Sequence, residues 1–289
     1  MTPIAITVGD PSGIGPEIAL KAARDPRVVA CCRPVLYGPH TTHDLKAFPT
    51  GRPNADAARA AYDAIVRATE DAKAGKVGAI VTAPISKEAL AMAGYPWRGH
   101  TDLLAHLCGT PDVAMMFWSD RLRVVLATVH IALAEVPRAL TRSRVRDVVA
   151  LTARSLPAFG INTPKLAMAG LNPHAGEHGV MGEEEMRVIM PALDDARALG
   201  VNVEGPFPGD TVFVRAARGE FDAVIACYHD QGLIPVKLIA FGRAVNVTLG
   251  LPIIRTSVDH GTAFDIAGQG IADEGSLVEA ILLAAKLAS

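Results

Sequence analysis

The chain opens on the short apolar, β-branched run Ile4-Ala5-Ile6-Thr7-Val8, stops at Gly9, and passes through a Gly/Pro-rich turn into an Ala/Leu-rich stretch from Pro16. That pattern predicts strand, loop, helix. Asp56 to Lys73 then places Tyr62, Ile65, Val66 and Thr69 on one side of a predicted helix, which stops at Gly75 and leads into Ala79-Ile80-Val81. Beyond Pro84, Ser86 is placed to cap another short helix ending near Gly94.

Val113 to Trp118 and Leu122 to Val129 are β-rich runs separated by Ser119-Asp120-Arg121, which predicts a hairpin. A helix from about Ser143 turns Val145, Val148, Val149 and Leu156 inward. Another from Glu183 is expected to do the same with Met186, Ile189, Met190, Leu193 and Leu199, its acidic first turn matching the helix dipole. Short strands recur at Leu166-Ala167-Met168, Ala223-Val224-Ile225 and Val245-Asn246-Val247, and a helix near Leu277 to Leu287 closes the chain. Alternating β and α elements imply parallel sheet covered by helices.

Length and composition narrow the class. At 289 residues the chain could hold about two domains of roughly 150 residues. Apolar residues are 50 % of it and aromatics 5 %, the composition of a buried α/β protein and not of a disordered one. Lys plus Arg (28) against Asp plus Glu (30) gives a net charge of −2, which argues against nucleic acid as the principal ligand. No apolar stretch approaches the roughly 20 residues of a membrane span, and the start lacks a basic n-region. Cys31, Cys32, Cys108 and Cys227 have no metal-site spacing, so a reduced, cytoplasmic setting is expected.

Several segments could carry chemistry. Gly9-Asp10-Pro11-Ser12-Gly13-Ile14-Gly15-Pro16-Glu17 joins a strand to a helix, where glycines admit a ligand to the backbone and the helix start favours anions. A plain tight turn fits it equally. His130, His174 and His229 each stand just beyond a predicted strand, where open α/β sheets gather ligands. Three neutral imidazoles leave coordination positions open on a divalent ion, which suits catalysis; taken singly, such a histidine is more often a hydrogen-bonded loop residue. In Gly99-His100-Thr101-Asp102, Thr101 or Asp102 is expected to cap a helix beginning at Leu103. Lys237, Asn246 and Arg255 sit in apolar runs, and the two cations need either a bound anion or an internal salt bridge. Asp259 to Gly268 combines glycine and small residues that could approach a flat ligand or form a turn. Lys87 and Asp210, in polar positions after strand-like runs, are candidate proton acceptors.

Taken together and in order, Gly9-Asp10-Pro11, Gly99-His100-Thr101, Asn172-Pro173-His174-Ala175-Gly176-Glu177, Tyr228-His229-Asp230-Gln231-Gly232 and Val258-Asp259-His260-Gly261-Thr262-Ala263 resemble the 4-hydroxythreonine-4-phosphate dehydrogenase family of pyridoxal phosphate biosynthesis. The resemblance covers nearly the whole chain. It implies an isocitrate/isopropylmalate-dehydrogenase-like fold, two α/β domains with a cleft between them. The expected division is an outer domain of 1–95 and 256–289 around a central domain of 96–255 that carries a dimer interface. It further implies His130, His174 and His229 as ligands of a divalent metal, one of them shared across a homodimer. Zinc suits three histidines, with magnesium, cobalt, manganese or nickel as alternatives. His100, Thr101, Lys237, Asn246 and Arg255 would hold a small phosphorylated hydroxy acid. His260, Gly261, Thr262 and Asp265 would lie at the adenine end of NAD or NADP.

There are departures. The stretch from Tyr37 to Asp56 looks shorter than in typical members, Ala132 stands where a proline often follows the metal histidine, and Asp102 replaces a common glutamate. The implied reaction is oxidation and decarboxylation of 4-phosphohydroxy-L-threonine, with 4-phospho-D-threonate or 4-phospho-D-erythronate as alternative substrates. A phosphate acyltransferase and a non-catalytic phosphometabolite binder are the rival classes.

Overall fold

The computed structural model describes residues 1–289. Ten strands follow along the chain: β1 (Pro3–Thr7), β2 (Arg33–Tyr37), β3 (Ala79–Thr82), β4 (Ala114–Trp118), β5 (Arg123–Leu126), β6 (Leu166–Ala169), β7 (Val203–Phe207), β8 (Ala223–Ala226), β9 (Val245–Leu249) and β10 (Arg255–Ser257). Two compact units result, one of residues 1–111 with 245–289 and one of residues 112–244. The expected junctions at 95/96 and 255/256 both lie inside the first unit. Leu103 and Leu104 of helix His100–Cys108 bury against Ile65, and β10 pairs with both β3 and β9, which holds these segments there.

In the first unit the strand order is β2-β1-β3-β10-β9. All neighbours are parallel except β9, which runs against β10. β1 and β3 read as near-continuous apolar runs because both faces are covered, and Ile4, Ile6 and Ile80 are completely buried. The expected helices form at Ala55–Lys73, capped by Asn54, and at Lys87–Met92, where Ser86 Oγ accepts from Ala89 N at 3.1 Å. Helix Gly275–Leu287 closes the unit and buries Leu277 and Ile281.

In the second unit the order is β4-β5-β8-β6-β7. β4 and β5 form the expected antiparallel hairpin, tightened where Ser119 Oγ accepts from Leu122 N and donates to Leu122 O. From β5 through β7 every pairing is parallel. Val124, Leu126, Val224, Phe213 and Val236 share the core on one face, and helix Arg142–Ser155 buries Val145, Val148 and Val149 as its spacing predicted.

Two expectations are corrected. The helix predicted from Leu103 starts at His100 with Gly99 as its cap, and neither Thr101 nor Asp102 caps it. Asp102 instead reaches back to accept the Arg98 amide. The helix expected as one piece from Glu183 begins with a widened turn over Glu185–Ile189 before the regular stretch Met190–Ala198. A turn closed by i→i+5 bonds rotates the following residues relative to a regular helix. Ile189 and Leu193 therefore bury, while Met186, Met190 and Leu199 are exposed. No helix is long and apolar enough to cross a membrane, and all four cysteines are free thiols.

Candidate active site

Strands β5, β8, β6 and β7 lie side by side and point the same way, so their C-terminal ends form one edge. Leaving that edge, the chain carries His130 after β5, His229 after β8, His174 after β6 and Asp210 after β7. Parallel sheets gather ligands at this edge. The rings of His130 and His229 lie 5.6 Å apart between centroids, beside a pocket of about 270 Å³ that Thr128, Tyr228 and Asp230 also line. Asp230 Oδ1 lies 2.7 Å from His229 Nδ1. With the carboxylate accepting, the proton is held on Nδ1 and Nε2 becomes the basic nitrogen, the usual arrangement of a metal-binding histidine. His174 does not line that pocket, and no group of three His, Cys, Asp or Glu within the single chain is arranged to hold a metal. Two of the three expected ligands are thus brought together.

The backbone marks the same positions. Positive φ at residues other than glycine occurs at His130 (47°), His174 (52°), Ala175 (53°), Glu177 (44°), His178 (56°) and Ala263 (41°). His174 to His178 form a continuous left-handed turn after Pro173. Left-handed conformation costs an L-residue roughly 1–2 kcal/mol and persists only where the surroundings impose it, most often at functional sites. Five of the six positions were singled out by the sequence, and His178 directly follows one of those motifs.

A second constellation lies in the first unit. Arg255, on β10, is 2 % exposed. Its two terminal nitrogens donate to Thr248 Oγ1 at 2.9 Å and Thr82 Oγ1 at 2.7 Å, while Nε is buried without a partner. No carboxylate pairs with it, so the internal salt bridge left open by the sequence is not formed. Asn246 sits on the paired strand opposite Ser257, and both Asn246 Oδ1 and His100 Nε2 are enclosed without partners. Burial, and secondarily the charge of Arg255, pushes the His100 pKa well below 6.5. Burial also pulls the Arg255 pKa down, to about 9. A desolvated cation with neutral partners is costly until an anion joins it. Thr101 follows His100 in the first turn of the helix. Lys237 was expected in apolar surroundings, but it belongs to the second unit, where helix His229–Ala240 exposes it, as it does Ile234 and Leu238.

Also in the first unit, the Gly9–Glu17 loop meets the Asp259–Gly268 segment. Ile14 N donates to Thr262 O at 3.0 Å, and a Cβ on Gly13 would stand 2.8 Å from that same oxygen. Only glycine permits this approach. His260 and Asp265 are exposed beside it, and Gly261 O lies 3.1 Å from His260 Nδ1. Lys87 and Asp210 are both exposed, each in the first turn of a helix.

Sequence reasoning missed two acids. Asp10 is 1 % exposed, with Oδ1 accepting from Ser12 N and Oδ2 unpartnered, and burial raises its pKa. Glu185 is buried under the His174 turn. An acid amid glycines at a strand end, and an acid at an inward helical position, were the available signals.

The α/β fold thus carries a histidine edge in one unit and, in the other, a buried arginine without a carboxylate partner and a glycine loop against a His-Gly-Thr segment, and its relatives are dehydrogenases. The family model described as "Pyridoxal phosphate biosynthetic protein PdxA" matches residues 17–284, and the chain belongs to that family. It is 46 % identical to a 4-hydroxythreonine-4-phosphate dehydrogenase of Desulforapulum autotrophicum, over 98 % of this chain and 94 % of that one. It is 44 % identical to a D-threonate 4-phosphate dehydrogenase of Salmonella typhimurium, over 99 % and 98 %. A crystal structure of 4-hydroxythreonine-4-phosphate dehydrogenase from Klebsiella pneumoniae, 40 % identical, superposes with a TM-score of 0.90 over 100 % of both chains. A β-decarboxylating dehydrogenase of Thermococcus kodakarensis shares the fold at 16 % identity, with a TM-score of 0.56 over 96 % of this chain and 81 % of that one.

Proposed function

We propose that the chain oxidises and decarboxylates 4-phosphohydroxy-L-threonine to 3-amino-2-oxopropyl phosphate, using NAD or NADP and a divalent cation. The observation that carries the reading is Arg255, a buried guanidinium with only threonine hydroxyls for partners. A phosphate bound there answers its charge, and binding energy gained away from the reacting carbon becomes orientation. Neutral His100 and Thr101 complete the phosphate contacts. Asn246 presents its amide to the substrate, as oxygen or, flipped, as an N–H donor.

His130, His174 and His229 are assigned to the cation, zinc first; when bound it supplies Lewis acidity to the reacting oxygen. The His130–His229 pair and the Nδ1-anchored tautomer of His229 fit that use. A second copy of the chain completes the set. Leu238, Phe241 and Val180, each more than three-quarters exposed, leave apolar surface for such a partner. A bound dinucleotide would supply the hydride acceptor at its nicotinamide ring; Gly261 and Thr262 would hold its adenine end, with His260 flanking that end and the Asp265 carboxylate available to a ribose hydroxyl.

The substrate loses a hydride from the carbinol carbon and a proton from its hydroxyl. Asp210 shares the strand edge with the histidines and is assigned the proton; Lys87, in the other unit, is the alternative. The β-keto acid then loses CO₂, its bonding pair passing toward the new carbonyl, and the α-carbon is reprotonated. The relative named for D-threonate 4-phosphate supports a second reading, in which the same phosphate pocket takes a substrate with hydroxyl in place of amine at C2. Spectrophotometry of 4-phosphohydroxy-L-threonine, 4-phospho-D-threonate and 4-phospho-D-erythronate, with each dinucleotide and with or without chelator, tests both. Reduction of dinucleotide by none of the three overturns the assignment.

A further inference from the structure

Glu185 plays no part in the chemistry just proposed, yet the chain is built around it. It is 2 % exposed, and its partners are all neutral N–H groups. Oε1 accepts from Leu171 N at 2.8 Å and Asn172 N at 2.7 Å, and Oε2 accepts from Asn172 Nδ2 at 2.9 Å. Glycines close on the carboxylate: a Cβ on Gly176 would lie 2.7 Å from Oε2, and one on Gly170 3.3 Å from Oε1. From the other side Gln231 ties down the same strand end, donating to Gly170 O and accepting from Cys227 N, both at 2.6 Å.

A buried carboxylate is costly unless its oxygens are satisfied, and hydrogen bonds to a charged acceptor are about twice as strong as neutral ones. Here that strength is spent on two consecutive amides, which fixes the direction in which the chain leaves β6. The second of these amides lies two residues before His174, where the strained left-handed turn begins. Such strain needs something rigid to impose it. The widened turn that presents Glu185 is itself a form frequent at functional sites.

We infer that Glu185 is a positioning residue, the clamp that holds the turn His174–His178 so that the His174 imidazole is presented to the cation. The inference rests on the proposed ligand role of His174. Glu185→Gln keeps the size but turns one acceptor into a donor facing N–H groups; Glu183→Gln, on an exposed acid, is the control. Hydrogen exchange on the cation-free protein, zinc titration calorimetry and steady-state kinetics are compared. In Glu185→Gln, amides of 171–178 exchange at least tenfold faster with the rest unchanged. The zinc Kd rises tenfold or more, and kcat falls while KM for the phosphorylated substrate stays within twofold.

Wild-type exchange over 171–178 in the folded variant overturns the inference. So does a uniform loss of protection with unchanged zinc affinity, the mark of a general structural role. If the wild-type protein takes up no zinc, the ligand reading of His174 fails on its own, and the local exchange difference still decides whether Glu185 holds the turn. Should Glu185→Gln not fold, Glu185→Asp, which keeps the charge but withdraws the oxygens, is put through the same measurements.

Discussion

The Arg255 pocket and the histidine edge are prepared for charge in opposite ways. Around Arg255 the backbone is regular strand and the side chains are buried, with a cation held against hydroxyls and three polar atoms left unpartnered. At the ends of β5 and β6, His130 and His174 stand on left-handed backbone, while His229 opens the helix after β8, its side chain 43 % exposed with an aspartate beside it. An anion site can be prepared by desolvating a cation in advance, at a cost in stability that the ligand offsets. A cation site assembled from neutral imidazoles gains little from desolvation; it needs directed lone pairs, and here these come from strained turns and hydrogen-bonded tautomers.

The largest expected effect falls on the histidine edge. His174→Ala or His229→Ala lowers kcat by about 10³-fold or more, while circular dichroism and the melting temperature stay near wild type. Unchanged turnover by either folded variant breaks the comparison at once. Next, Arg255→Met lowers kcat/KM by about 10²-fold, equivalent to roughly 2.7 kcal/mol. Because a buried unpaired cation is removed, the ligand-free protein melts higher and no longer gains stability from added phosphate. A lower melting temperature with unchanged kinetics shows instead that Arg255 is structural.

A smaller effect is the pH dependence that His100 imposes. Its folded-state pKa is depressed below 6.5, so the unfolded chain takes the proton first as pH falls. Its contribution is complete above pH 6.5 and is lost below it, with a slope approaching about 1.4 kcal/mol per pH unit. Urea titrations from pH 7.5 downward read this slope, and His100→Gln flattens it; an unchanged slope in the variant removes His100 from the account. The smallest effect is that of the cap before Lys87. Ser86→Ala costs about 1 kcal/mol of stability and leaves kcat unchanged if Asp210 takes the proton. A kcat that drops with the cap shifts that role to Lys87.

Much of the scaffold was legible because local pattern and tertiary role agree. The Ile4–Val8 run, the hairpin around Ser119 and the Ser86 cap each carry their own signal and form as read. The strands that escaped include β2 and β7, which lie at the outer edges of their units and contain Pro34 and Pro206. Edge strands tolerate proline because one side of the backbone has no neighbour to bond, so the strand signal is weakest there. Met186 and Met190 were placed inward because a regular helical period was assumed through Glu185–Ile189, where the turn widens. The site residues were visible as types at strand ends; their partners were not.

From the order of its residues alone this protein declares alternating β and α elements and histidines at the ends of strands, since these rest on short-range spacing and composition. Tertiary contact decided that Arg255 meets threonines and no acid, that Ile14 reaches Thr262, and that Glu185 lies beneath Asn172. Those pairings join residues distant in the chain, and whether a buried charge finds an opposite charge, a hydroxyl or an empty place is settled only when the folded backbone brings its neighbours in.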